Sequence, residues 1–151
     1  MTEGPRVERA LFALERDGPS TILVGFDGSE PAWRALHYAV GLARRQMSKI
    51  VAVYASQLPA TSFAAPQVIP AMVDLRKRLA VDIQAVAREH GVDITFLASE
   101  GDPVTVLTNV ANDHHVDLIV LGASDKITHR FFGSVALRTI KSRRCPVTVV
   151  P

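Results

Sequence analysis

Short apolar runs separated by helical patterns constrain this chain more than any other feature. "TILVGF" (21–26), "IVAVYA" (50–55) and "DLIVLG" (117–122) are continuous apolar runs rich in β-branched residues. Such runs predict strands that are buried on both faces, as in parallel sheets. "VDITFLA" (92–98) alternates instead, with Val92, Ile94, Phe96 and Ala98 on one side, which predicts a strand nearer an edge. "PVTVVP" (146–151) predicts a last strand.

Helical patterns fill the intervals between these strands. Ser29 is a good N-cap for a first helix with Pro31 in its first turn, and Ala32, Leu36, Ala39 and Ala43 recur on one face. A second helix carries apolar residues from Val68 to Val86 and ends at Gly91. Asp102-Pro103 and Ser134 begin the third and fourth helices, of which the third directs Leu107 and Val110 inward. Strict alternation predicts one doubly wound α/β domain of five parallel strands and four helices, with right-handed crossovers.

Composition excludes several classes of protein. The 151 residues suit a single domain, and no apolar run approaches the ~18 residues that span a bilayer. The only cysteine, Cys145, cannot form an internal disulfide, which fits a reducing cytosol. The net charge is only +2, and the positively charged residues are scattered along the chain rather than arranged in a stripe. Both features argue against a nucleic-acid-binding protein. We therefore expect a cytoplasmic protein with neither a membrane nor a nucleic-acid partner.

Residues 1–20 fall outside the alternating pattern and are interpreted as an N-terminal extension to a domain at 21–151. Their sequence lacks the basic start and apolar run of a secretory signal. "VERALFALER" has helical spacing, so two interpretations stay open. One is a frayed tail, which the pattern favours, and the other is a helix docked on the domain or on a partner.

The ends of two predicted strands indicate where a ligand would bind. The first strand ends at Asp27-Gly28-Ser29 and the fourth at Gly122. If the two strands are neighbours, Asp27 and Gly122 face one crevice at the carboxyl edge of the sheet. Gly133-Ser134 then brings a helix N-terminus, which attracts anions, to the same place. A purely structural interpretation is favoured on spacing alone: each glycine serves a turn or a strand exit, and Asp27 binds backbone amides.

The remaining motifs predict neither a metal site nor catalysis. His114 and His115 are adjacent, so they point apart, and no third ligand completes a set. Cys145 is expected to be buried and inert, and Trp33 and Tyr38 are expected to be packing residues. The chain has no Gly-x-Ser-x-Gly elbow and no Walker P-loop. No nucleophile with a partnered base is evident, so we expect a protein that is not an enzyme.

Three segments resemble the universal stress protein family. They are "ILVGFDGSEPAWRALHYAVGLA", "GDPVTVLTNVANDHHVDLIVLGASD" and "FFGSVALRTIKSRRCPVTVVP". The resemblance covers roughly residues 20–151. It implies the sheet order 3-2-1-4-5, which places the first and fourth strands side by side. It also implies a cytoplasmic, stress-responsive homodimer joined through the last strand, at 146–151.

Some members of that family bind ATP, and the resemblance implies a site for ATP or AMP, with Mg²⁺ if ATP is the ligand. Their motif is Gly, two residues, Gly, nine residues, then Gly with Ser or Thr. This chain keeps Gly122 and Gly133-Ser134, but Asp125 replaces the second glycine and the loop is two residues shorter. Lys126, His129 and Arg130 are basic residues that would offset Asp125 if they point inward. The resemblance further implies Asp27 on the ribose or metal side, Ala55 beside adenine, and Val135 on the phosphate and ribose side. A module that binds no nucleotide and acts through its surfaces is the alternative. Slow ATP hydrolysis, for which only Asp27 is available, also stays open.

Overall fold

The protein is described by a computed structural model over residues 18–57, 66–123 and 134–151. The five strands in these ranges are β1 (Thr21–Gly25), β2 (Lys49–Ser56), β3 (Ile94–Glu100), β4 (Leu118–Gly122) and β5 (Val147–Val150). The four helices within these ranges are α1 (Glu30–Gln46), α2 (Val68–His90), α3 (Pro103–Asp113) and α4 (Ser134–Lys141). Strand and helix alternate along the described chain, as the sequence predicts.

All strand pairs are parallel, and the sheet order is β3-β2-β1-β4-β5. This confirms the doubly wound architecture and the order that the family resemblance implies. The register places Val24 of β1 between Ala52 of β2 and Val120 of β4. β1 is therefore the central strand, and β3 lies at an edge, as its alternating pattern predicts.

Two apolar clusters cover the two faces of the sheet. One contains Ile22, Val24 and the buried faces of α1 and α2, and the other contains Leu23, Val51 and the packed residues of α3 and α4. Neighbouring residues of each central strand alternate between the clusters because successive side chains in a strand point to opposite faces. Continuous apolar runs are the consequence, since both faces of these strands are buried.

Local capping signals set several helix ends. The Ser29 hydroxyl accepts from the Ala32 N–H at 3.4 Å, and Asp102 accepts from the Thr105 N–H at 3.1 Å. Gly91 ends α2 in the left-handed conformation, with φ of 64°. These three ends lie where the sequence predicts them. Met47 ends α1 with a φ of 55°, an uncommon conformation for a residue that has a Cβ.

The interior differs from expectation at a few positions. Trp33 packs edge-on against Phe26, with ring centroids 4.9 Å apart, but Tyr38 is exposed. The prediction that Tyr38 is a packing residue is wrong, because it lies outside the stripe that α1 buries at Ala32, Leu36, Ala39 and Ala43. Ala98, near the end of the edge strand β3, is also exposed. Burial along α2 is complete only in its second half, at Leu79, Ile83 and Val86.

The start of β1 is tied to the start of β4 by one carboxylate. Asp117 Oδ2 accepts from the Ser20 N–H at 2.9 Å, the Ser20 hydroxyl at 2.8 Å and the Thr21 N–H at 3.0 Å. These hydrogen bonds, led by that of the Ser20 hydroxyl, lower the pKa of Asp117.

Residues 1–17 lie outside the described residues, so both interpretations of the extension stand as predictions. Among the helices described, none is both long enough and apolar enough to cross a membrane.

Candidate ligand-binding site

The chain changes direction across the sheet between β1 and β4. After β1, helix α1 leads to β2 and helix α2 leads to β3, so the sheet first grows on one side of β1. Helix α3 then returns the chain to β4, on the other side of β1. In open α/β sheets the crevice at such a point, outside the carboxyl ends of the strands, is where ligands bind. We call this region the switch crevice. Within the described residues it is bounded by Asp27, Gly122 and the start of α4.

Asp27 follows β1 and is exposed. Its Oδ1 accepts from the Ser29 N–H at 2.9 Å, so the structural role that the sequence allows for this carboxylate is present. Gly28 has a φ of 80°, which lets the chain turn from the strand into α1. A carboxylate has room for further hydrogen bonds. The turn therefore fixes the position of Asp27 and leaves it able to accept from a ligand.

Gly122 ends β4 directly against the first turn of α1. A Cβ at this position would lie 2.2 Å from the Pro31 carbonyl oxygen and 2.8 Å from Pro31 Cβ. No real Cβ lies that close to a backbone atom, so the approach of α1 to β4 requires glycine here. The structural interpretation of Gly122 is therefore sufficient to explain it. A role toward a ligand would be additional.

Ala55 and Val135 both pack against the same apolar cluster. Ala55 lies near the end of β2, opposite Ser99 of β3, and is half-buried. Val135, in the first turn of α4, is also half-buried, and both pack against the cluster around Leu23 and Val51. Part of each side chain therefore belongs to the core, and part is left exposed.

The topology brings part of the predicted site together. The ends of β1, β2 and β4 are adjacent, since Phe26 N–H still donates to the Val53 carbonyl at 2.8 Å. Phe26 and Gly122 each lie two residues beyond the paired Val24 and Val120. α4 begins at Ser134, as predicted. The remaining predicted site residues, Asp125, Lys126, His129, Arg130 and Gly133, lie outside the described residues.

One charged group at this edge of the sheet, the Arg76 guanidinium, is not predicted as a site residue by the sequence. Arg76 Nη2 of α2 donates to the hydroxyl of buried Ser56 at 2.8 Å and lies 3.4 Å from Glu100 Oε1. Its Nε is buried and has no hydrogen-bond partner within the described residues. Ser56 and Glu100 are paired at the ends of β2 and β3. No local pattern signals this contact, because it joins residues 20 and 24 positions apart.

A second ion pair fixes the short helix α4. Arg138 donates to both oxygens of Asp102, at 2.9 and 3.0 Å, while Asp102 also caps α3. The Arg138 hydrogen bond is the main reason that the pKa of Asp102 falls to about 2. The start of α3 and the middle of α4 are thereby held together on one face of the sheet.

The described residues give little support for metal or thiol chemistry. Across residues 18–57, 66–123 and 134–151, no group of three His, Cys, Asp or Glu side chains is placed to hold a metal ion. His114 and His115 are exposed just beyond α3. Cys145 is half-buried, its Sγ lies 3.5 Å from the Val116 carbonyl oxygen, and burial raises the pKa of the thiol.

Comparison with known proteins gives a consistent result. A family model described as the universal stress protein family matches residues 19–151. A curated universal stress protein of Methanocaldococcus jannaschii is 29% identical over 150 residues, covering 93% of this chain and 88% of that protein. A solved universal stress protein family structure from Burkholderia pseudomallei is 30% identical, with a TM-score of 0.74, and covers 87% of this chain and 96% of that one.

A further solved structure is a universal stress protein in complex with cAMP. It is 27% identical to this chain, has a TM-score of 0.60, and covers 89% of this chain and 98% of that one. The family model spans nearly all of the described fold, and the sheet order agrees with it. This chain therefore belongs to the universal stress protein family.

Proposed function

We propose that the switch crevice binds an adenine nucleotide, and that the protein is a cytoplasmic stress-response module rather than a dedicated enzyme. The sheet order carries this proposal, because it gathers the ends of β1, β2 and β4 and the start of α4 at one edge. The cAMP complex of a relative supports adenine as the base. ATP and AMP are the ligands proposed, with Mg²⁺ accompanying ATP.

Each element of the crevice has a proposed role. The Asp27 carboxylate, positioned by its bond to the Ser29 N–H, accepts hydrogen bonds from the ribose hydroxyls. The backbone at Ala55 borders the adenine. Free N–H groups at the start of α4, around Ser134 and Val135, receive the phosphate with the help of the helix dipole. Gly133, Lys126 and Arg130 complete the phosphate side in this proposal, which for these three residues rests on sequence alone.

The alternative function is an interaction module whose crevice holds no nucleotide. Two observations favour it: Asp27 already serves a turn, and Gly122 is required by the packing of Pro31. Asp125 adds a sequence argument, because a carboxylate about 4 Å from a phosphate charge is repelled by roughly 1–4 kcal/mol in water-like to surface dielectric.

Calorimetric titration distinguishes the two functions. We expect wild-type protein to bind cAMP, AMP or MgATP at submillimolar concentration. Asp27→Ala should weaken binding about tenfold, or ~1.4 kcal/mol, because the ribose acceptor is lost. Asp125→Gly should strengthen ATP binding by a similar factor. Asp113→Ala is the matched control, since Asp113 is an exposed carboxylate at the far end of α3. If neither the wild type nor any variant shows binding heat at millimolar nucleotide, the interaction module is favoured.

We further propose a homodimer formed through residues 146–151. β5 pairs with β4 on one side, and the described residues place no strand on its other side. An unpaired strand edge offers a row of hydrogen-bonding groups to another chain. A two-fold related copy of β5 would cover that row with an identical strand.

A further inference from the structure

A ridge of side chains on α1 connects the two ends of the described domain. Arg34, Tyr38, Leu42 and Gln46 follow one another at intervals of four residues, which places them along one ridge of the helix. At the first of these positions, Arg34 Nε donates to the carbonyl oxygen of Pro151 at 3.0 Å. We call the part of this ridge from Tyr38 to Gln46 the α1 ridge.

The chain enters the domain at the far end of the α1 ridge. A Cβ at Gly18 would overlap the side-chain amide of Gln46, so the backbone of Gly18 lies directly against that residue. The next residue continues along the start of β2, since the Ser48 hydroxyl donates to the Pro19 carbonyl. Residues 1–17 therefore leave the domain at the Gln46 end of the ridge.

The α1 ridge carries apolar side chains that the core leaves uncovered. Tyr38 is 46% exposed, and Leu42 is half-buried against the cluster that contains Ile22 and Val24. Met47, the residue that follows the ridge, is 94% exposed. Tyr38 does not pack in the core of the domain, and its exposure fits a further element that packs along this flank of α1.

The segment that enters the domain here has a matching apolar stripe. Val7, Leu11 and Leu14 recur at spacings of four and three within "VERALFALER" (7–16), which is the spacing of one helix face. We call these three residues the extension stripe. A helix over these ten residues would be about 15 Å long, and the α1 ridge rises about 12 Å. A helix this short is marginal in isolation, so it needs a surface of this kind.

We propose that residues 7–16 form a helix that docks on the α1 ridge of the same chain, antiparallel to α1. The extension stripe packs against the apolar side chains of the ridge, and Glu15 then lies near the exposed Arg44 and Arg45 in the last turn of α1. The sequence pattern alone favours a frayed tail; the entry point at Gly18 and the exposed ridge favour docking. The family model begins at residue 19, so the family resemblance does not imply this contact.

Hydrogen–deuterium exchange of the full chain, resolved by peptide mass spectrometry, tests the docking. We expect the amides of residues 7–16 to exchange about tenfold more slowly than those of an isolated peptide of the same sequence, because a docked helix protects its N–H groups. Tyr38→Glu should remove this protection, since it places a charge against the extension stripe. Val81→Glu is the matched control, because Val81 is a 65% exposed apolar residue on α2. It should leave the protection unchanged.

Thermal denaturation gives an independent test of the same contact. Leu11→Glu and Tyr38→Glu should each lower the melting temperature by about 3 °C. The double variant should melt close to either single variant, because both changes break one contact and their effects are then not additive. Additive effects of the two changes, or a melting temperature that Leu11→Glu leaves unchanged, would overturn the proposal.

The exchange experiment also separates the other occupants of the ridge. Unprotected amides at residues 7–16 of the wild type would mean a frayed tail. Protection that appears only as the protein concentration rises would assign the ridge to the extension of a second copy, and would overturn the contact within one chain. Circular dichroism verifies that the variants are folded. If Tyr38→Glu is not folded, Tyr38→Ser replaces it, and the wild-type exchange result decides the question by itself. Neither measurement depends on nucleotide binding, so the proposed function can fail without this inference.

Discussion

At the scale of single residues, glycines of this fold serve different purposes that only the structure separates. Gly122 permits the close approach of Pro31, whereas Gly28 supplies a positive φ at the turn after β1. Gly41 lies within α1, where an added Cβ would come no closer than 3.7 Å to the Arg45 side chain. The structure therefore shows no steric need for glycine at position 41, and glycine there weakens the helix.

We expect opposite effects of alanine at two of these positions. Gly122→Ala forces a Cβ against the Pro31 carbonyl, so it should reduce the free energy of unfolding by about 1–3 kcal/mol, the usual cost of overpacking. Gly41→Ala should increase it by roughly 0.5–1 kcal/mol through helix propensity. Urea denaturation of both variants measures the difference. Equal stability of Gly122→Ala and wild type would mean that α1 does not pack on β4 as described.

Single residues also show what the sequence could and could not predict. The turn role of Asp27 was predictable because its partner is only two residues away. The Arg76 contact with Ser56 was not, because arginine on a helix surface gives no sign of its partner in space. Tyr38 was assigned wrongly because its residue type suggests packing, while its helical position lies outside the buried stripe. Residue type is weaker information than position in a periodic pattern.

At the scale of elements, helix ends were predicted well because capping is local. Ser29, Asp102 and Gly91 all act within three or four residues of their own positions. The further bond from Asp102 to Arg138 crosses 36 positions and could not be predicted in this way. One carboxylate thus caps α3 and secures α4.

This carboxylate gives the folded state a pH dependence. The folded pKa of Asp102 is about 2, below its ordinary value of 3.8. The stabilisation is therefore present above about pH 4 and is lost as the pH falls through the folded pKa. Asp102→Asn keeps an N-cap but removes the charge. We expect its melting temperature to lie below that of wild type near neutral pH and to converge with it toward pH 2.

Thermal denaturation monitored by circular dichroism over this pH range tests the expectation. Asp82→Asn is the matched control, since Asp82 is an exposed carboxylate on α2, and its difference from wild type should change little. A constant gap between Asp102→Asn and wild type down to pH 2 would contradict the ion pair with Arg138.

At the scale of the whole molecule, local patterns predicted the elements but not their arrangement. Apolar runs identify buried parallel strands, yet any order of those strands would bury them equally. The order β3-β2-β1-β4-β5 was predicted through the family resemblance and is confirmed. The crevice depends on that order, because Asp27 and Gly122 meet only if β1 and β4 are neighbours.

Assembly is the next property at this scale. If β5 is the dimer contact, Val149→Lys places a charge on a short edge strand and should weaken self-association about tenfold or more. Sedimentation equilibrium at micromolar concentration measures the effect. Wild-type protein that is monomeric at that concentration, or a Val149→Lys variant that dimerises as tightly as wild type, would remove β5 from the interface.

The central claim is that an adenine nucleotide binds at the carboxyl ends of β1, β2 and β4. Titration of isotope-labelled protein with cAMP, followed by amide chemical shifts in two-dimensional NMR, tests it most directly. The account predicts saturable shifts of the amides of Asp27, Gly28, Ala55, Ala123 and Val135. It predicts no comparable shifts at the opposite edge, at Ser48, Asp93 and Val116. An unchanged spectrum at millimolar cAMP, or shifts confined to that opposite edge, would contradict it.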